Sequence, residues 1–164
     1  FKRLIKPCNA ALKDAGFLID VEADYMKIVD AINFNIPLKL KKFLALATNN
    51  FKIVDFEEVK VGVCLLRKKE ILELGLSLSE ARMAPNDLQV IGGVDFLFVL
   101  TEFEEGIKGS FRSRKNVNTP LFAKELGGGG HKFASAFRIM DIELEEAEEK
   151  VFDAIRRAGI HRVE

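Results

Sequence analysis

Four consecutive glycines, Gly127 to Gly130, limit what this chain can fold into more than any other feature. Inside a regular element each glycine costs on the order of 1 kcal/mol relative to alanine, so a run of four needs a reason. A flexible linker is one reason, but linkers are flanked by polar sequence. This run lies between an amphipathic segment ending at Leu126 and the apolar stretch Phe133 to Ile139. Close approach is the other reason: bare, successive backbone N–H groups can curl around an anionic oxygen and form a nest. The run follows a predicted helix instead of opening one, so it is neither a dinucleotide fingerprint nor a P-loop.

The flanking residues sharpen that expectation. Thr119 is placed to cap a short helix opening at Pro120, whose missing N–H has no partner in the first turn anyway. Gly127 is its natural stop, and Leu121, Phe122 and Leu126 form its apolar stripe. His131 follows the glycines directly. A lone histidine is often a structural hydrogen-bonding residue; at the rim of a nest it can also donate to a phosphate oxygen or assist a leaving group. From Lys108 to Arg138 the chain carries Arg112, Arg114, Lys115, Lys124 and Lys132 as well, against one acid, Glu125. Such a cluster is either a solvated charged face or the footprint of a phosphorylated ligand. Arg112 and Arg114, at alternate positions of a predicted strand, share one face, and bidentate contact to phosphate is what arginine does better than lysine. Ser110 and Ser113 add hydroxyls.

Periodicity supplies the surroundings. Apolar residues recur at helical spacing over Lys2 to Leu12, Ala23 to Phe34 and Leu38 to Thr48, punctuated by Gly16, Pro37 and the Asn49-Asn50 pair. Val59, Val61, Val63 and Leu65 alternate as in a half-buried strand. Lys68 to Leu76 reads equally as helix or strand, and Met83 to Gly93 as loop with a short helix. Asp95 to Thr101 is a continuous apolar run followed, after Glu102 to Gly106, by Ile107 to Ser113, which predicts a hairpin whose first strand is buried on both faces. Phe133 to Ile139 is a further strand, and a last helix from about Ile142 to Ala158, with Asp141 as its cap, ends at Gly159. Interleaved strands and helices predict an α/β fold, a mixed sheet flanked by helices and preceded by a short helical connector. We expect the connector over residues 1–50 and the sheet domain over 51–164.

The 164 residues suffice for one core with appended elements. The formal net charge of +0 leaves the local clusters as the only electrostatic signal. Val94 to Leu100 is far shorter than the roughly 20 apolar residues that span a bilayer, and no charged-then-apolar leader opens the chain, so no membrane partner and a cytoplasmic location are expected. Cys8 and Cys64 lack metal-ligand spacing and are read as packing residues. A chain opening at Phe1 inside a helical pattern is expected to be a fragment.

The segments Ser110-Phe111-Arg112-Ser113-Arg114, then Phe122-Ala123-Lys124-Glu125-Leu126-Gly127-Gly128-Gly129-Gly130-His131, then Ala134-Ser135-Ala136-Phe137 resemble the C-terminal, DHH-associated domain of DHH-family phosphoesterases, in the oligoribonuclease and exopolyphosphatase-related branch. The likeness is strongest from Gly109 to Arg138; upstream, Val61 to Leu66 matches more weakly and Ala10 to Thr48 is similar to the connector between that family's lobes. The resemblance implies a substrate-binding role, with Gly128, Gly129, Gly130 and His131 holding phosphate, His131 also in a catalytic role, and Arg112, Ser113 and Arg114 binding phosphate or base. It implies two manganese ions in an N-terminal Asp-His-His lobe, and no metal site here: this chain has only His131 and His161. Two-metal hydrolysis of phosphodiester or phosphomonoester bonds in short oligonucleotides or related nucleotides would then need that lobe as partner, and this chain alone is expected to be inactive. Where the family closes its small strand with Ala-Ala-Gly, this chain has Ala134, Ser135 and Ala136, which implies a slightly narrower pocket or an unusual ligand. The competing resemblance is to the non-catalytic nucleic-acid-binding domain at the C-terminus of alanyl-tRNA synthetase, which typically lacks the histidine after its glycines. A short single-stranded nucleic acid or nucleotide is the expected ligand, and the sequence leaves room for a homodimer.

Overall fold

The computed structural model describes residues 9–21, 24–113 and 117–161. By their contacts the residues form two compact units, parted between Leu38 and Lys39. The first holds α1 (Asn9–Asp20) and α2 (Tyr25–Asn33). Gly16 lies within α1 and does not end it, so the first predicted helix reaches further along the chain than its spacing suggested; the Lys2 to Cys8 part of that expectation lies outside the described residues. The Asp24 side chain accepts the Lys27 N–H at 3.0 Å, capping α2.

The second unit is a six-stranded mixed sheet, in the order β1-β2-β3-β4-β6-β5. Its strands are β1 (Phe51–Phe56), β2 (Val59–Leu66), β3 (Phe96–Phe103), β4 (Gly106–Ser113), β5 (Gly129–His131) and β6 (Ala134–Met140). Among the described residues only β2 and β3 run parallel; every other neighbouring pair is antiparallel. Their crossover carries α4 (Lys68–Glu73), a 3₁₀ turn (Glu80–Met83) and α5 (Ala84–Leu88), so Lys68 to Leu76 is helical over most of its length and Met83 to Gly93 is a short helix followed by loop. β6 leads into α7 (Leu144–Ala158), and α6 (Thr119–Glu125) precedes the glycines.

Side-chain alternation divides the core in two. Val61, Val63, Phe96, Phe98, Leu100 and Phe111 face α6 and α7, packed on Phe122, Val151 and Ile155. Cys64, Leu66, Leu97 and Val99 face the other way, onto Phe43 and Ala47 of α3 (Leu38–Asn49), Ile71 of α4 and Leu88 of α5. The continuous apolar run of β3 is therefore buried on both faces, as a central strand requires. Burial also pushes the Cys64 thiol up to about 12, with a smaller push from Glu70, which makes it an inert packing residue. No described helix is long and apolar enough to cross a membrane.

Two helix starts differ from expectation. Asn118, not Thr119, is the N-cap of α6, and the Thr119 hydroxyl is buried without a hydrogen-bond partner. Asp141 sits in a turn at φ 53, so α7 begins later, with Glu143 at its N-cap.

Candidate functional site

β4 strictly alternates. Ile107, Gly109, Phe111 and Ser113 are buried toward α6 and α7, while Lys108, Ser110 and Arg112 are half-exposed on the opposite face. Residues paired directly across antiparallel strands share a face, so the register lays out that side of the sheet row by row, buried at its β3 end and open at β4, β6 and β5. Thr101, Lys108 and Arg138 form one row; Val99, Ser110, Ala136 and Gly129 the next; Leu97, Arg112, Ala134 and His131 the third. The middle row is made of small side chains, Ser110 alone bringing a hydroxyl, and the rows on either side carry the charges. Over it lies a cleft of about 330 Å³, walled by Ala81, Arg82 and Pro85 from the 3₁₀ turn and α5, and lined by Thr101, Phe103, Lys108, Ser110, Arg112, Gly129, Gly130 and Ala136.

The cleft is cationic. Burial first, and then the charges of Arg82, Arg138 and Arg112, hold the Lys108 ammonium below its ordinary value of 10.5. All three neighbours repel it, and no carboxylate offsets them. Among the described residues no acid lines the cleft, and neither Arg82 nor Lys108 forms an ion pair. Like charges converging in a half-buried site are disfavoured unless an anion joins them. Arg112 is positioned by its neighbours: its Nε donates to Asn86 Oδ1 at 3.1 Å and one terminal nitrogen to the Phe111 carbonyl at 2.8 Å. Burial pushes the Arg112 guanidinium down as well.

The glycine run divides its labour. Gly127, at φ 71, donates to the Lys124 carbonyl at 3.0 Å, and Gly128 to the Ala123 carbonyl at 2.7 Å. These two bonds are a Schellman motif closing α6. A side chain on Gly128 would also meet the Ala136 carbonyl oxygen at 2.2 Å. The expected nest of successive free amides is therefore corrected at Gly128, whose N–H is already used in ending the helix. Gly129 and Gly130 continue as edge strand β5 and line the cleft. No atom lies within 4 Å of the position a Gly129 side chain would take, so the space above it is open.

The other predicted residues distribute as follows. His131 is exposed at the end of β5, on the row of Arg112 and Ala134 and hence on the cleft's face, outside its immediate lining. Ser113 belongs to the opposite face, corrected from a ligand contact to an anchor: it is 6% exposed, and its hydroxyl accepts the Val117 N–H at 3.1 Å. Arg114 lies outside the described residues. Ala136 stands on the cleft floor beside Gly129, so its methyl occupies the place where the family pattern has none. Sequence reasoning missed Arg82 altogether and left Lys108 as part of a charge count. Arg82 comes from a turn 26 residues before Lys108, and nothing in its local sequence marks it.

Manganese does not fit this cleft, whose charged side chains are all cations and whose neutral donors are hydroxyls and backbone. Among the described residues no three His, Cys, Asp or Glu side chains gather to hold a metal ion.

With this geometry in place, comparison with known proteins gives consistent findings. The family model of the DHHA1 domain matches residues 59–158. Over 74 residues, 43% of this chain, the sequence is 42% identical to the bifunctional oligoribonuclease and PAP phosphatase NrnA of Thermus thermophilus. Over 149 residues, 90% of the chain, it is 27% identical to the cyclic-di-AMP phosphodiesterase PdeA of Listeria monocytogenes. The matched stretch is 22% of each of those proteins, so the chain spans only a minor part of either. The crystal structure of an exopolyphosphatase-related protein from Bacteroides fragilis superposes with a TM-score of 0.74 at 22% identity, over 92% of this chain and 44% of that one. That likeness bears on the mixed, helix-flanked sheet.

Proposed function

Because this chain belongs to the DHHA1 domain family, we propose that its cationic cleft grips the phosphate of a short oligonucleotide or related nucleotide for a phosphoesterase whose metal-holding lobe is a separate part of the protein. The observation that carries this is the convergence of Arg82, Lys108, Arg112 and Arg138 with no acid among them. Lys108 and Arg112, rising from one strand on either side of Ser110, close on a phosphate from two sides. Charge-assisted hydrogen bonds from both are the strong kind. The Ser110 hydroxyl and the space over Gly129 let phosphate oxygens approach the floor. His131, on the same face, donates a proton to a phosphate or leaving oxygen extending past the edge strand; Arg114 is assigned to the same ligand. Gly128 and Ser113 support the site from beneath, by ending α6 and anchoring the strand's end.

The manganese that the resemblance implies belongs, in this proposal, to an Asp-His-His lobe outside this chain. What this chain contributes is to bind the phosphate, orient it and neutralise its charge.

Calorimetric titration of the chain with a 5′-phosphorylated dinucleotide tests the proposal. Binding is expected, and Lys108→Ala and Arg112→Ala are each expected to weaken it on the order of tenfold, the size of one charged hydrogen bond. Undiminished binding by both variants would remove the site proposed here.

A further inference from the structure

A second recess adjoins the cleft, of about 240 Å³, and shares Phe103 and Lys108 with it. Its construction differs from that of the phosphate cleft. Phe103 pairs with Gly106, and Gly106 with Met140, so these three form the next row of the open face beyond Thr101, Lys108 and Arg138. Glycine in the middle leaves a gap with a ring on one side and a thioether on the other. Gly106 is fixed there by backbone geometry: its φ is 141, and a side chain would meet the Ile139 carbonyl oxygen at 2.2 Å. Two strand spacings put Phe103 and Met140 about 10 Å apart at the backbone. A flat ring between them needs about 7 to 8 Å, two carbon–carbon contact distances. The Met140 side chain is half-exposed although apolar, as expected of a surface that a ligand covers.

The charges around this slot argue against a second phosphate. Arg138 and Lys108 lie at its inner end, but Glu104 and Glu105 of the β3–β4 turn border it too, so it lacks the uniform positive character of the cleft. From these observations we propose that the slot between Phe103 and Met140 is a nucleobase subsite, sandwiching the base of a ligand whose phosphate sits in the neighbouring cleft. The inference rests on the phosphate-gripping function and narrows its substrate class: nucleotides and oligonucleotides are preferred over inorganic polyphosphate, which has nothing to place in the slot.

AMP, ribose 5-phosphate and inorganic phosphate, titrated separately into the chain, test it. AMP is expected to bind about tenfold more tightly than ribose 5-phosphate, the size of one base-stacking contact, with its H2 and H8 protons shifted upfield by the Phe103 ring in proton NMR. Phe103→Leu, which keeps the apolar bulk and removes the ring, is expected to abolish that upfield shift and most of the preference for AMP over ribose 5-phosphate. Met140→Ala is expected to do the same to a smaller extent. Equal affinity for AMP and ribose 5-phosphate with unshifted base protons would overturn the subsite and leave the phosphate grip standing. No binding of any of the three would overturn both.

Discussion

The sheet has two halves that solve different problems. In the β1-β2-β3 half, helices cover both faces: β3 is buried from Phe96 to Thr101, with α3 to α5 on one side and α7 on the other. In the β4-β6-β5 half only the α6–α7 face is packed shut, and the other, flanked by the 3₁₀ turn and α5, carries Lys108, Ser110, Arg112, Ala136 and Gly129 around a cleft. The covered half supplies apolar burial. The open half is held by pairing and by the core beneath it, which frees its outer face to carry groups that repel one another. Stability and ligand binding are thereby assigned to opposite sides of the same strands, and substitutions can test that division.

The largest expected effect is on the covered side. Phe98 is fully buried, with edge contacts to the rings of Phe111 and Phe152. Phe98→Ala is expected to cost about 3–5 kcal/mol in urea unfolding. Ser110→Ala, on the open face of the neighbouring strand, is expected to cost less than about 0.5 kcal/mol. Comparable losses from the two would break the comparison.

What the sequence disclosed follows the same line. The β3–β4 hairpin and α7 were legible because burial on both faces or on one face leaves a continuous or periodic apolar record at positions 95–113 and 144–158. β1 was not, because Lys52 and Asp55 interrupt the apolar positions of a short edge strand and leave no clean alternation. β5 was not, because Gly129 and Gly130 have no intrinsic strand preference; β6 alone dictates their conformation through pairing. The same limit applies to the site. Its glycines, Arg112 and His131 lie in one contiguous motif, whereas Arg82 joins them only through the packing of the β2–β3 crossover, a contact between residues far apart in sequence.

On the open face, Lys108→Met sharpens the contrast because binding and stability are expected to move in opposite directions. Affinity for a phosphorylated dinucleotide falls on the order of tenfold, while thermal stability holds or rises slightly. The reason is the depressed ammonium. Because the folded-state value lies below 10.5, the unfolded chain binds more protons in the interval between the folded value and 10.5, and stability of the native chain rises with pH there. Lys108→Met is expected to flatten that rise in melting temperatures measured from pH 8 to 11. Phosphate binding has the opposite sign: it needs the protonated lysine, so affinity falls as pH climbs through the lowered Lys108 value, before an unperturbed lysine would titrate. An affinity constant up to pH 10.5 would show that Lys108 does not touch the anion.

The smallest effect expected lies on the rim, at an exposed ion pair. Glu80 receives Lys39 at 2.8 Å and the Ser77 N–H and hydroxyl at 2.8 and 2.9 Å, and these partners, the Lys39 side chain foremost, draw its carboxyl down to about 2 from 4.5. A carboxylate with a depressed folded value adds stability above the unfolded value of 4.5 and loses it as pH falls toward 2. Glu80→Gln is therefore expected to remove a shallow acid dependence between pH 4.5 and 2 and to leave the melting temperature at neutral pH nearly unchanged, as is usual for exposed pairs. Because Glu80 and Arg82 share the 3₁₀ turn, the same variant also tests whether the rim holds the cleft. Unchanged phosphate affinity would show that Arg82 is positioned by the packing of Ala81 and Ala84, with no help from the Lys39–Glu80 ion pair.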